Sequence, residues 1–314
     1  MNEAQFKQFF LPLGLSAAII LALVFPGPGI EVKSWDLMRE AVMLIFLING
    51  LQSSLVFKDV NLKFFKAFLF LVLSSLLLCP FFGKWLANAL GLPPDLALGL
   101  IVMSAMPTTL SSGLVVASVA GGSATWSMLF TMGLNLVGIF TIPFILAFAL
   151  NTSTVHLSPW PLLVNLIQIV FCPYIIGSIL RRSIQATEKY KIILAHLPTF
   201  CIILVAWTSV SVSADNILNM QLNFLLYSCL AVVLVHVLLL LLHYGSAKVL
   251  ALNLPETKSF VILGSQKTIP IALSVLTALH LKQAGPAVMV CIMFHFLQLL
   301  IDSWLAARWA KKLD

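Results

Sequence analysis

Long apolar runs follow one another through this chain with short intervals, and that pattern constrains the fold more than any single motif. A helix needs about 20 apolar residues to cross a hydrocarbon core of roughly 30 Å. Spans of that kind are read at about 9–25, 37–56, 65–83, 95–118, 124–149, 160–180, 192–214, 222–244, 258–279 and 284–307. They predict an all-α integral membrane protein with about ten transmembrane helices and no stretch that could hold a soluble catalytic domain. Composition agrees: 61% of residues are hydrophobic and only 9% charged, where a soluble domain carries roughly 25% charge.

The formal net charge of +7 does not point to nucleic acid, because the cations fall in alternate loops. With the N-terminus inside, one side holds Lys7, Lys58, Lys63, Lys66, Arg181, Arg182, Lys189, Lys191, Lys248, Lys258, Arg308, Lys311 and Lys312. The other side holds Lys33, Arg39, Lys84 and Lys282. This is the positive-inside bias of a protein in a cell (inner) membrane, and it predicts an even number of spans with both termini cytoplasmic. The first apolar run lacks an A-x-A-like cleavage site, so it reads as a span that ends in a loop at Pro26-Gly27-Pro28-Gly29. Cys79, Cys172, Cys201, Cys229 and Cys291 all lie in apolar runs without C-x-x-C spacing. They read as small buried residues and not as disulfides or metal ligands.

Two spans are interrupted by polar residues around a proline. The fourth contains Met106-Pro107-Thr108-Thr109-Leu110-Ser111-Ser112-Gly113, and the ninth Gly264-Ser265-Gln266-Lys267-Thr268-Ile269-Pro270. Proline removes an N–H and displaces the carbonyl one turn earlier, and in lipid the freed groups must find partners in protein or a water-filled cavity. If ten spans divide as five and five, over 1–150 and 151–314, the broken ones hold corresponding places. An odd number of spans per half inverts one half relative to the other, and breaks at matching places in inverted repeats point to a midplane binding site. Freed N–H groups attract anions and freed carbonyls attract cations. Thr108, Thr109, Ser111, Ser265, Lys267 and Thr268 are therefore candidate substrate-binding residues.

Around these residues the sequence resembles the bile acid:sodium symporter family, and within it the sodium–bile-acid-cotransporter-like branch. The likeness is carried by Pro107-Thr-Thr-Leu-Ser-Ser-Gly113, by Gly121-Gly122 through Pro143, and by Gly264-Ser-Gln-Lys-Thr268. It implies two inverted five-helix repeats whose broken fourth and ninth helices cross near the midplane, in a core that moves against a panel. It also implies secondary transport of a small organic anion, with Na+ as the candidate coupling ion and no other cofactor. Ser112, Ser127, Thr131 and Gln266 match the family's sodium-binding positions. Gly113 stands where typical members have asparagine, Ser75 where the third helix has a glutamine ligand, and Ile262 where the ninth has an acidic one. Lys267 follows Gln266. Losing a carboxylate and adding an ammonium opposes sodium binding at that spot.

Lys267 lies about nine residues into its span, roughly 13 Å deep at 1.5 Å per residue. A charge at that depth costs at least about 2.5–3.5 kcal/mol, so a function is the default expectation. Lys267 is expected to supply the positive charge that sodium supplies elsewhere in the family, by neutralising an anionic substrate or by exchanging a proton. The competing expectation is an ion pair with Asp302 on the tenth span. Asn135, one turn beyond Thr131, is expected to face the crossing and the substrate. Asn49 and Gln52 line the path or bond across a helix interface, and His236, His243 and His295 read as packed residues. No H-E-x-x-H, G-x-S-x-G or close carboxylate pair supports an intramembrane enzyme. A regulatory protein that keeps a transporter fold but moves nothing is the other alternative.

Overall fold

The computed structural model of the chain describes residues 3–35, 37–52, 60–110, 112–150, 158–181, 188–279 and 284–310. In chain order its helices are α1 (Glu3–Val24), α2 (Pro26–Ser34), α3 (Met38–Gln52), α4 (Leu62–Ala89), α5 (Pro94–Ala105), α6 (Ser112–Val119), α7 (Ala124–Leu150), α8 (Pro159–Leu180), α9 (Glu188–Val212), α10 (Leu222–Val249), α11 (Leu254–Ser265), α12 (Ile269–Ala278) and α13 (Gly285–Ala310). A short turn, Ala214–Leu218, follows α9. No strand occurs among the described residues, as expected of a chain whose solvent cannot hydrogen-bond an open backbone. Six helices are long and apolar enough to cross a membrane, counting α11 and α12 together as Leu254–Ala278, or seven if the bent pair α1–α2 is one span. The chain is a multi-pass membrane protein.

The Pro-Gly-Pro-Gly stretch departs from expectation. It opens α2 instead of forming a loop, with Pro26 in the first turn, where the missing N–H has no helical partner to lose. The chain bends by 101° between α1 and α2.

Two sets of helices form. In one, α3 packs against α8 and α9, and α1 and α2 pack against α9. The contact of α3 with α8 is backbone-close, because a Cβ at Gly50 would run into the Tyr174 carbonyl and one at Gly177 into that of Leu47. Small residues let helices approach this way where lipid supplies no hydrophobic drive. In the other set, α5 packs on α4 and α13, α10 on α11 and α13, and α7 on α4, α6 and α11. The half-helix α12 touches both sets. Leu254–Ala278 is 89% buried inside the protein, against 33–50% for the other spans. It is the central element and not a lipid-facing one.

Both breaks have the same geometry. α5 stops at Ala105 with Met106 at φ −71°, ψ 149°, and α11 stops at Ser265 with Gln266 at φ −72°, ψ 150°. The chain positions recur too, since one interval separates Leu62 from Leu222, Pro94 from Leu254, and Met106 from Gln266. Pro270 does not kink a continuous helix. It occupies the first turn of α12, and Pro107 lies within the extended break.

Two π-helical turns complete the frame, Val72–Leu78 within α4 and Ile167–Phe171 within α8. Each precedes a Cys-Pro pair, Cys79-Pro80 and Cys172-Pro173. The cysteine N–H reaches back five residues, from Cys79 to the Ser74 carbonyl and from Cys172 to that of Ile167. In that register the next carbonyl, of Ser75 or Gln168, would take its bond from a proline, which has no N–H to give. Three cysteines are buried as expected, but Cys172 is exposed and Cys229 half-buried; all five are free thiols.

Candidate functional site

The two breaks touch. The Thr268 N–H donates to the Pro107 carbonyl at 2.9 Å, and side chains from neighbouring helices hold both extended segments. Gln298 of α13 clamps Lys267 as a second strand would: its Oε1 accepts from the Lys267 N–H at 2.9 Å and its Nε2 donates to the Lys267 carbonyl at 2.7 Å. Asn135 of α7 donates to the Thr108 carbonyl at 3.0 Å and to that of Thr131 at 2.7 Å. Unwound backbone thus finds partners within the protein where lipid could not supply them.

Lys267 is completely buried, and its ammonium donates to three oxygens: the Ser75 carbonyl (2.6 Å), the Ser75 hydroxyl (2.9 Å) and the Met106 carbonyl (3.0 Å). Both carbonyls are available for the same reason. Pro80 leaves Ser75 without a helical donor, and Met106 caps a helix that stops. The sequence alternative of a Lys267–Asp302 ion pair is therefore incorrect. Asp302 is taken by other partners, and two carbonyl dipoles and a hydroxyl satisfy the ammonium without a counter-charge.

Asp302, also fully buried, anchors a hydrogen-bonded chain that runs to the break. The Gly113 N–H donates to Thr109 Oγ1 (2.7 Å), Thr109 Oγ1 donates to Gln266 Oε1 (2.6 Å), and Gln266 Nε2 donates to Asp302 Oδ2 (2.8 Å). Asp302 Oδ1 lies 2.9 Å from His236 Nε2, and His236 Nδ1 lies 3.3 Å from the Ser265 carbonyl. Which of these two contacts His236 donates to depends on its tautomer. Gly113 makes the chain possible. A Cβ there would stand 2.7 Å from Thr109 Oγ1 and 2.8 Å from Gln266 Oε1. Gly113→Ala is expected to separate these two side chains and cost about 1–3 kcal/mol, read as a lower melting temperature of the purified protein. An unchanged melting temperature would contradict the close packing.

Beside the crossing lies a cavity of about 80 Å³, room for a few waters or the head of an anion at roughly 30 Å³ per water. Thr109, Ser112, Thr268 and Ile269 line it from the breaks, and Asn49, Gln52, Thr199 and His295 from facing helices. The N-termini of α6 and α12, at Ser112 and Ile269, both open on it, and their first-turn N–H groups favour negative charge. His295 Nδ1 faces the Gln298 amide nitrogen at 3.0 Å. Amide nitrogen only donates, so the remaining hydrogen sits on Nε2, which is buried without a partner.

The expected site residues divide accordingly. Thr109, Ser112 and Thr268 reach the cavity. Thr108, Thr131 and Asn135 gather behind the break between α5 and α6, with Thr108 Oγ1, Thr131 Oγ1 and Asn135 Oδ1 buried and unpartnered. Gln266 spends its amide on Thr109 and Asp302. Ser265 turns its hydroxyl back to Val261 and Ile262, and Ser127 bonds Ser259 at 2.8 Å. Ser111 lies outside the described residues. Gln52 both lines the cavity and donates to the Leu194 carbonyl at 2.9 Å. Reading the sequence missed His236, His295 and Gln298. The available signal was that an imidazole or amide deep in a span needs a polar partner.

The model of the SBF-like CPA transporter family matches residues 8–311. "Probable sodium/metabolite cotransporter BASS4, chloroplastic" of Arabidopsis thaliana is 29% identical, over 96% of this chain and 73% of its own length. The protein of the same description in Oryza sativa subsp. indica is 28% identical, over 96% and 76%. "Uncharacterized protein PA2026" of Pseudomonas aeruginosa is 26% identical, over 100% of this chain and 96% of its own length.

Proposed function

Because the chain belongs to the SBF-like CPA transporter family, and is thus a membrane transporter, we propose that it is a secondary active transporter of an organic anion working by alternating access. The observation that carries this reading is the Lys267 ammonium, held by three oxygens directly behind the crossing of two broken helices. It stands as a tethered cation where related transporters would bind a free one. Its charge offsets that of a carboxylate or sulfonate head at the N-termini of α6 and α12, and Ser112, Thr268 and His295 supply hydroxyls and an N–H to orient it. A monovalent anion next to a fixed ammonium makes a near-neutral core, which lowers the cost of moving charge through hydrocarbon.

Equal chain intervals and matching break angles support two inverted five-helix repeats, 1–150 and 151–314, with α1, α2, α3, α8 and α9 as the panel and the remaining helices as the core. The uneven loop charge supports a cell membrane location with both termini cytoplasmic.

The tethered-cation reading has a direct test. Lys267→Ala leaves the Ser75 and Met106 carbonyls and the Ser75 hydroxyl around a lysine-shaped void, and such hard oxygens suit sodium. The melting temperature of the purified variant is expected to rise in sodium chloride relative to choline chloride at equal ionic strength and pH, since an ion that binds only the folded state stabilises it. A variant indifferent to sodium rejects the reading. Function itself is tested by uptake into vesicles from a panel of labelled carboxylates and sulfonates; flux with the wild type and none with Lys267→Met is expected.

A second reading, sodium coupling, is favoured by the three unpartnered buried oxygens of Thr108, Thr131 and Asn135. They are hard neutral donors on two adjoining elements, which fits a sodium co-substrate. A sodium-specific rise in the wild-type melting temperature that disappears in Thr131→Val is the expected signature. Its absence at saturating sodium leaves Lys267 as the fixed cation at the crossing.

A further inference from the structure

Lys267 is not the only ionisable group enclosed at the crossing. Asp302 of α13 and His236 of α10 lie against each other at 2.9 Å, both fully buried. Asp302 Oδ2 accepts from Gln266, Gln266 Oε1 accepts from Thr109, and Thr109 lines the crossing cavity. The carboxylate is thus two hydrogen bonds from the cavity wall. The Lys267 ammonium offsets an anion head locally, but an ionised Asp302 returns one negative charge to the same core. With His236 neutral, the empty crossing is uncharged and the anion-loaded crossing is negative.

We propose that His236, set against Asp302, is the binding site of a proton that travels with each anion, so that the protein is an electroneutral anion–proton symporter. The assignment rests on the organic-anion reading above and names its coupling ion. Two observations carry it. Both atoms that face the ring accept hydrogen, the Ser265 carbonyl at Nδ1 and an ionised Asp302 at Nε2. A neutral imidazole has one N–H and serves one of them, by tautomer, whereas the imidazolium serves both. The second observation is the charge of the core. Loaded with anion and proton it is neutral, and empty and deprotonated it is neutral again. Neither half of the transport cycle then carries net charge through hydrocarbon, where charge is costly. A proton taken from the solution that loads the anion leaves on the side that receives it.

The groups packed around α10 fit this role. From α11, Ser265 offers the ring its carbonyl, and Lys258 turns away to the Trp309 carbonyl. Lys267, just beyond α11, directs its ammonium to Ser75 and Met106. From α13, Phe294 stands edge-on at 6.4 Å, and Cys291 turns its thiol to the Gly99 carbonyl. His295, on the same helix, borders the cavity within electrostatic reach of Asp302. α4 brings Cys79 near Lys267, and the buried residues of α5 are not titratable. On α10 itself His243 contacts Ser74 and feels both His236 and Lys267. Asp302 is the one carboxylate in contact with the ring among the described residues. A negative head in the cavity draws a proton to the ring, and the charged ring draws the head, which is the reciprocity that coupling needs.

Proton binding can be read without knowing the substrate. Nitrogen-15 solid-state NMR of histidine-labelled protein in liposomes follows the ring, with His236 assigned by the signals lost in His236→Gln. The ring is expected to pass from one protonated nitrogen to two as pH falls from about 8 to about 5, the range in which imidazole serves as a switch. A ring that keeps one state throughout overturns the site. Coupling is read in vesicles with labelled carboxylates and sulfonates. One proton per anion sets an accumulation of about tenfold over protein-free vesicles for each pH unit of outside acidity, unmoved by a potassium–valinomycin potential. His236→Gln keeps an amide donor for Asp302 and is expected to retain its melting temperature while losing this accumulation. Asp302→Asn removes the charge that the proton answers, so its uptake is expected to ignore the pH gradient and follow the potential; a purely structural Asp302 would change neither. Wild-type accumulation indifferent to pH, or driven by sodium at constant pH, overturns proton coupling even where anions are transported. A titrating ring in a protein that takes up no anion overturns the transport reading and the coupling with it.

Discussion

Lys267→Met is expected to abolish anion uptake while leaving the protein folded, with stability lowered by no more than about 3.5 kcal/mol. Two opposing terms set that limit. Removing the ammonium leaves the Ser75 and Met106 carbonyls without their donor, at about 1–3 kcal/mol for each buried unsatisfied group. Removing a charge from the membrane interior returns about 2.5–3.5 kcal/mol on insertion scales. Methionine fills nearly the same volume, so no large cavity term is added. The terms largely cancel in stability, but nothing replaces the positive charge at the crossing. Uptake into vesicles and the melting temperature of purified protein check both halves. Normal uptake in a poorly stable variant would reduce Lys267 to a structural residue and sink the proposal.

Asp302 is expected to behave in the opposite way, with its largest effect on stability and a sharp dependence on the replacing side chain. Asp302→Ala strips partners from both His236 Nε2 and Gln266 Nε2, which are fully buried. Breaking a buried pair of this kind costs about 3–5 kcal/mol, and freeing Gln266 also loosens its hold on Thr109. Asp302→Asn can keep both contacts: its amide nitrogen donates to His236 and its carbonyl accepts from Gln266. The alanine variant is therefore expected to express poorly or melt far below wild type, and the asparagine variant to stay close to it. Equal melting temperatures for the two would mean that the network contributes little to folding.

Much of this was legible locally. Apolar runs marked a multi-pass membrane protein, because hydrocarbon thickness sets a length that can be counted along the chain. Both breaks could be located, since Pro107 and Pro270 stand among hydroxyls and amides that no lipid-facing helix would keep. The burial of Lys267 followed from its place within an apolar run. The choice of partner could not be read in this way. Ser75 and Met106 lie 192 and 161 residues from Lys267 in the chain, and Asp302 lies 66 from His236. Asp302 looked like the natural counter-ion for Lys267 because reasoning from sequence pairs formal charges. A carbonyl released by Pro80 carries no formal charge and leaves no mark beyond the proline itself.

The sequence by itself determined that the chain lives in a membrane, where its helices break, and that a charge is buried at the break between α11 and α12. Those properties depend on local hydrophobicity and on the backbone chemistry of proline. Only the tertiary structure decided which groups answer that charge, and that Asp302 belongs to His236 and Gln266. In a medium without water an unpartnered buried polar group is costly, but which partner it finds depends on how distant helices pack.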